Sequence, residues 1–166
     1  TGTAEITLAV REKQPVITDF RGEPEQVASV LLNGRKVPYT VKDEHIVIGA
    51  KDVANGENRV TVEFTANDQS LNRRDEFLYT LLVPDRARTL FPCFDQPDMK
   101  SLFTLSLEVP SSWQAVANGA IEHVDSTSVT GRRRVYFRET EPLSTYLFSF
   151  VAGKLTRETY SRDGRD

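Results

Sequence analysis

Cys93, Asp95, Arg88 and Lys100 lie within thirteen residues of one another, and two histidines, His45 and His123, lie far from them. These types could support three chemistries: a thiolate nucleophile, a carboxylate acid or base, or a metal centre. A thiolate needs a base or a positive field close by. Arg88 and Lys100 are near Cys93 in sequence, but its direct neighbours are Pro92 and Phe94. Apolar flanks favour burial, so Cys93 reads as a small buried hydrophobe. Asp95 precedes Gln96-Pro97 and reads as a cap on the turn that follows, or as a partner for Arg88. No second carboxylate is placed beside it to divide acid and base roles.

A hydrolytic zinc site of the His-Glu-x-x-His kind sets two imidazoles one helical turn apart. That spacing does not occur here, and His45 and His123 fall in different hairpin patterns. They read as partly exposed strand residues. Arg132-Arg133-Arg134, with Tyr136 and Arg138, has the types of a nucleic-acid strand. Glu139 and Glu141 dilute it, and the chain carries a net charge of −3. A solvated sheet face is the better reading, and no nucleic-acid partner is expected.

The elements that position these residues are strands. Ile6, Leu8 and Val10 alternate with polar neighbours, as do Val60, Val62 and Phe64. Phe103, Leu105, Leu107 and Val109 form the longest apolar row, and Pro110 ends it. Asn33-Gly34, Asn55-Gly56 and Asn118-Gly119 carry the strongest short hairpin signal, because both residue types tolerate positive φ. Asn67 to Glu76 is polar and reads as a loop, and Tyr146 to Val151 reads as a closing strand. The pattern predicts an all-β, saddle-like or sandwich domain of mostly antiparallel sheets with about ten to twelve short strands. Residues 84–100 interrupt it. Pro84, Pro92 and Pro97 exclude a central strand there, while Phe91, Cys93 and Phe94 are too apolar for an exposed linker. A rigid, partly buried crossover is expected. Arg88, Asp95 and Lys100 are candidates to satisfy its backbone.

At 166 residues, with 39% hydrophobic and 27% charged positions, the chain has the composition of one soluble domain. No apolar run approaches the roughly 18 residues of a spanning helix. A single cysteine excludes an internal disulfide, which fits cytosol or a bacterial envelope equally. Both ends read as cuts within a longer protein.

Arg88-Thr-Leu-Phe-Pro-Cys-Phe-Asp-Gln-Pro-Asp-Met-Lys100 closely resembles a signature of the aminopeptidase-N family of zinc metallopeptidases. The resemblance extends to Val16-Ile-Thr-Asp-Phe20, to Ala117-Asn118-Gly119 and to Leu143-Ser-Thr-Tyr-Leu-Phe-Ser-Phe150. It covers the family's N-terminal β domain. It implies such a domain over residues 1–156 and the start of a linker toward a catalytic domain over 157–166. It implies zinc in that catalytic domain and none here, because neither His-Glu-x-x-His nor Gly-x-Met-Glu-Asn is present. The crossover residues Arg88, Phe91, Pro92, Cys93, Phe94, Asp95, Pro97 and Lys100 would then be structural. Partners implied are the catalytic domain in cis and a peptide substrate.

One stretch departs from the family. The family reads Thr-Gln-x-Glu-Pro before the crossover and uses the polar side chains to hold the substrate's free α-amine. Thr80-Leu-Leu-Val-Pro84 puts Leu81 at the Gln position and Val83 at the Glu position, and Arg86 replaces a usual Asp. Leu81 and Val83 would form an apolar wall on the S1 side of the cleft. Either the catalytic domain alone holds the amine, or other substrates are preferred, or the parent is an inactive member that serves as a scaffold.

Overall fold

The computed structural model describes residues 1–158. The linker reading for 157–166 therefore lies almost wholly outside the described residues. Among the described residues fourteen strands and three short 3-10 turns are formed. They are β1 (Gly2–Val10), β2 (Val16–Asp19), β3 (Val27–Leu32), β4 (Arg35–Lys36), β5 (Tyr39–Lys42), β6 (His45–Ile48) and β7 (Gly56–Phe64). Then come β8 (Leu71–Arg73), β9 (Phe77–Thr80), β10 (Leu105–Pro110), β11 (Gln114–Ala117), β12 (Ile121–Ser126), β13 (Arg132–Phe137) and β14 (Phe150–Gly153). No helix among the described residues is long and apolar enough to cross a membrane.

The strands make four sheets, ordered β1-β7-β3-β4, β2-β6-β5, β11-β14-β9-β8 and β10-β13-β12. Every described pairing is antiparallel. The first two sheets close over a core that includes Phe20, Val30, Ile46, Ile48, Val60 and Val62. The other two close over Val109, Ala115, Val135, Phe137 and Ala152. The molecule is thus two β-sandwiches in series. The period-two rows account for this: β7 buries Val60, Val62 and Phe64 and turns Arg59 and Glu63 outward.

The expected turn at Asn33-Gly34 is present, with φ of 51° and 77°. β5 and β6 are joined by Asp43-Glu44, where two non-glycine residues hold φ of 52° and 63°. Asn118-Gly119 is not a hairpin turn. β11 pairs with β14, while β12 pairs with β13, so this dipeptide carries the chain from one sheet to another. Its glycine is needed for space rather than for a left-handed φ: a Cβ there would stand 2.0 Å from the Arg138 carbonyl oxygen. Asn118 Nδ2 donates to the Leu147 carbonyl at 3.0 Å, and Asn118 Oδ1 accepts from Ser149 N–H at 2.6 Å. The side chain clamps the approach to β14.

Three further expectations are corrected. The polar stretch before β9 is not all loop, since Leu71–Arg73 forms β8. The ladder of β9 fixes that strand, and only Leu71 of its three residues is buried. The closing strand starts at Phe150, because Thr145–Leu147 is a 3-10 turn. Phe103 lies before β10. It exchanges hydrogen bonds with Thr140 and sends its ring into an aromatic cluster.

Candidate functional site: the crossover and the end of β9

Between β9 and β10 the chain leaves the sheet, and the Val83–Pro84 peptide is cis. Ala87–Thr89 makes one 3-10 turn. Leu90, Cys93 and Ala87 then enter a small core with Leu71, Leu82 and Phe148. Phe91 packs on both this core and the first sandwich, and Phe94 packs on the first sandwich. Pro92 is fully buried. The crossover is therefore the joint between the two sandwiches, as its mixed proline and aromatic content requires.

Irregular buried backbone must find partners. Asp19 and Cys93 exchange N–H···O bonds of 2.7 and 3.1 Å, which adds Cys93 to the end of β2. Arg21 N–H donates to the Arg88 carbonyl at 2.7 Å. Asp95 supplies the rest. Its side chain accepts from Arg88 N–H at 3.1 Å and from the Thr145 hydroxyl at 2.6 Å. Its own N–H donates to Asp19 Oδ2 at 2.7 Å. One buried residue thus joins the turn at 87–89, the end of β2 and the turn before β14.

This corrects the simple pairing of Asp95 with Arg88. The carboxylate meets the Arg88 backbone and holds the preceding turn, not the following one. The Arg88 guanidinium points elsewhere, 3.2 Å from Asp85 and 3.5 Å from Glu44. Glu44 also holds Arg21 at 2.7 Å. Lys100 is exposed and is not part of the hydrogen-bonded network around Asp95. Pro97 is exposed, and its carbonyl accepts from the Ser144 hydroxyl.

Cys93 is 6% exposed. Burial pushes its thiol well above the usual range. The nearby Asp95 and Asp19 carboxylates add to the rise, and Arg88 offsets only part of it. A thiol so held is not a nucleophile at neutral pH. Iodoacetamide at pH 8 should leave Cys93 unmodified in the native protein and label it fully in urea. Mass spectrometry reads both states. Rapid native labelling would contradict the burial.

Sequence reasoning missed Asp19 and Thr145. Both carry the Asp95 network, and Thr145 is 3% exposed. They lie 76 and 50 residues from Asp95, so no spacing signal could link them. The motifs containing them were visible only as fragments of a resemblance. His45 Nε2 lies 3.2 Å from Asp19 Oδ1, which leaves it a neighbour of the network rather than a member. His123 stacks on Tyr136 at 4.3 Å in the other sandwich. Among the described residues no group of three or more His, Cys, Asp or Glu is disposed to hold a metal ion. The donor set here does not fit a zinc centre.

Arg132 and Arg134 grip Glu108 across the sheet at 2.8 and 3.0 Å, consistent with a solvated ion-paired face. Their pull holds the Glu108 carboxyl below its ordinary range, Arg132 contributing most.

Leu81 and Val83 stand immediately before the crossover. They are 51% and 53% exposed, while Leu82 between them is 2% exposed. Leu81 N–H still donates to the Ser70 carbonyl at 2.9 Å, so the alternation of β9 runs on past its formal end. Two apolar side chains are thereby presented to solvent from a fixed backbone.

These features define a class: an all-β domain of paired sandwiches braced by a proline-rich joint. The model of the peptidase M1 N-terminal domain matches residues 16–147, and the chain belongs to that family. Aminopeptidase M1-A of Oryza sativa subsp. japonica is 31% identical over 147 residues, which is 80% of this chain and 16% of that protein. Probable M1 family aminopeptidase 2 of Encephalitozoon cuniculi is 41% identical over 90 residues, 54% of this chain and 10% of that one. The fold is that of the M1 zinc metallopeptidase from Deinococcus radiodurans, with a TM-score of 0.74 at 22% identity over 91% of this chain and 37% of that chain. The chain thus spans well under half the length of each of these relatives.

Proposed function

We propose that this chain is the non-catalytic N-terminal domain of a zinc-dependent aminopeptidase that removes N-terminal residues from peptides. Zinc and its general base belong to the catalytic domain of the longer protein. The present domain packs against that domain and walls the S1 side of its cleft with Leu81 and Val83. The observation that carries this reading is the exposure of those two side chains on the fixed segment entering the crossover. An apolar wall there excludes water beside a substrate side chain and makes no contact with the α-ammonium. The names of the relatives, aminopeptidases and zinc metallopeptidases, support the reaction class.

The test uses the longer enzyme. Val83→Glu places a carboxylate where the wall stands. A charge-assisted hydrogen bond to an ammonium contributes about 1.5–3 kcal/mol. The variant should lower KM for a substrate with a free α-amine by about tenfold or more. An N-acetylated ligand should bind unchanged. Equal KM values for wild type and variant would sink the wall.

A second reading is favoured by the same two residues. Loss of both polar positions also suits an inactive family member that serves as an assembly scaffold. Zinc content of the longer protein separates the two: stoichiometric zinc supports the enzyme, and its lack supports the scaffold.

A further inference from the structure

We infer that the outward face of the β11-β14-β9-β8 sheet is the surface on which the remainder of the longer M1 chain docks. This rests on the reading that such a chain exists. The side chains concerned are Phe77, Tyr79, Leu81, Val83, Val116 and Val151. Register makes them one patch: Val116 pairs with Val151, and Val151 pairs with Tyr79, so the three form a row across the sheet. Phe77 stacks on Tyr79 at 6.3 Å with 18° between the rings. Phe77, Tyr79, Leu81 and Val116 are 40%, 39%, 51% and 57% exposed.

A half-solvated antiparallel sheet alternates apolar inward and polar outward. β1 obeys this, turning Thr3, Glu5 and Thr7 to solvent. The sheet at β9 does not. Its inward residues Leu82, Ala115 and Ala152 are buried, and its outward row is apolar across three strands, through Val116, Val151 and Tyr79, before it ends on exposed Asn72 of β8. Apolar patches of this kind on soluble domains mark contact surfaces. Charged groups border it: Glu76 and Lys154 pair at 2.7 Å beside Phe77. An apolar centre with a polar rim is the anatomy of an interface.

Three observations select the occupant. A relative of this fold is a two-domain M1 zinc metallopeptidase, of which this chain covers 37%. The last described strand, β14, lies inside this sheet, and the chain leaves it where Gly153 pairs with Phe77 and Lys154 N–H donates to the Glu76 carbonyl. The chain's exit from this sheet thus lies at the edge of the patch. Leu81 and Val83 lie at its other end, so the proposed cleft wall and the docking face are continuous.

The experiment places single cysteines in the longer chain at Val116 and Tyr79, and at Val124 and Ile17 as comparison sites. All four are between 39% and 57% exposed in the present domain, and the native Cys93 is buried. Maleimide labelling rates are mapped by peptide mass spectrometry at several protein concentrations. Val116→Cys and Tyr79→Cys are expected to label at least tenfold more slowly than Val124→Cys and Ile17→Cys, at every concentration. Equal rates at all four sites overturn the proposal. Shielding that grows with concentration overturns it too, because a second copy then covers the face. So does a mature protein that carries nothing beyond this chain. Zinc content and aminopeptidase activity of the unmodified longer chain are measured in parallel. An active zinc enzyme with unshielded probes fails this inference alone, and a shielded but zinc-free protein fails only the enzymatic reading.

Discussion

Asp95→Ala should destabilise the domain by about 3 kcal/mol, one of the two largest effects expected of a single substitution here. The carboxylate is buried and accepts from Arg88 N–H and from the Thr145 hydroxyl. Alanine leaves both donors unpaired in the interior. Each stranded polar group costs about 1–3 kcal/mol. Asp95→Asn is the informative companion. Its carbonyl oxygen can still accept from Arg88 N–H, and its amide can donate to the Thr145 oxygen, which also accepts. The asparagine variant should therefore lose only about 1 kcal/mol. Urea unfolding at neutral pH measures both. An alanine variant within about 0.5 kcal/mol of wild type, the range of an ordinary surface change, would remove Asp95 from its place at the joint.

Phe148→Ala carries the second large effect. Its ring meets Phe91 at 5.2 Å, Phe103 at 5.0 Å and Phe150 at 6.2 Å, and it is 7% exposed. Truncating a buried phenylalanine costs about 3–5 kcal/mol in lost transfer energy and residual cavity. The same cluster lies against the crossover core that holds Cys93. The variant should thus be both less stable and faster to alkylate at Cys93 under native conditions. Phe148→Leu, which keeps most of the volume, should lose roughly 1.5 kcal/mol. If Phe148→Ala unfolded like wild type, the joint would not depend on its aromatic contacts.

Both predictions concern the seam, whose existence was legible in the sequence but whose long-range partners were not. The long rows were easy to read. β1 and β7 alternate apolar and polar residues, and a half-buried strand has no other way to sort them. The proline-rich stretch was legible as a joint, because its prolines forbid a strand while its aromatics demand burial. β8 was not legible. Asn72 and Arg73 have no strand preference, and only the ladder of β9 makes them extended. The Asp43-Glu44 turn was hidden for a similar reason, since neither residue announces positive φ as glycine does. Asn118-Gly119 misled through its own strength as a hairpin signal. Its glycine answers a steric need set by Arg138, which lies nineteen positions away, just past the end of β13. Asp95 could be singled out, but its partners Asp19 and Thr145 could not, because tertiary contact alone brings them together.

On the proposed reading, the two sandwiches, the joint and the apolar face brace and line a site whose reactive groups belong to the longer protein. The most direct measurement is on the purified 166-residue chain, dialysed against zinc and assayed with an aminoacyl-anilide. The account predicts no retained zinc and no turnover, with both properties present only in the longer protein. Stoichiometric zinc held by this chain, together with hydrolysis that a chelator abolishes, would contradict it.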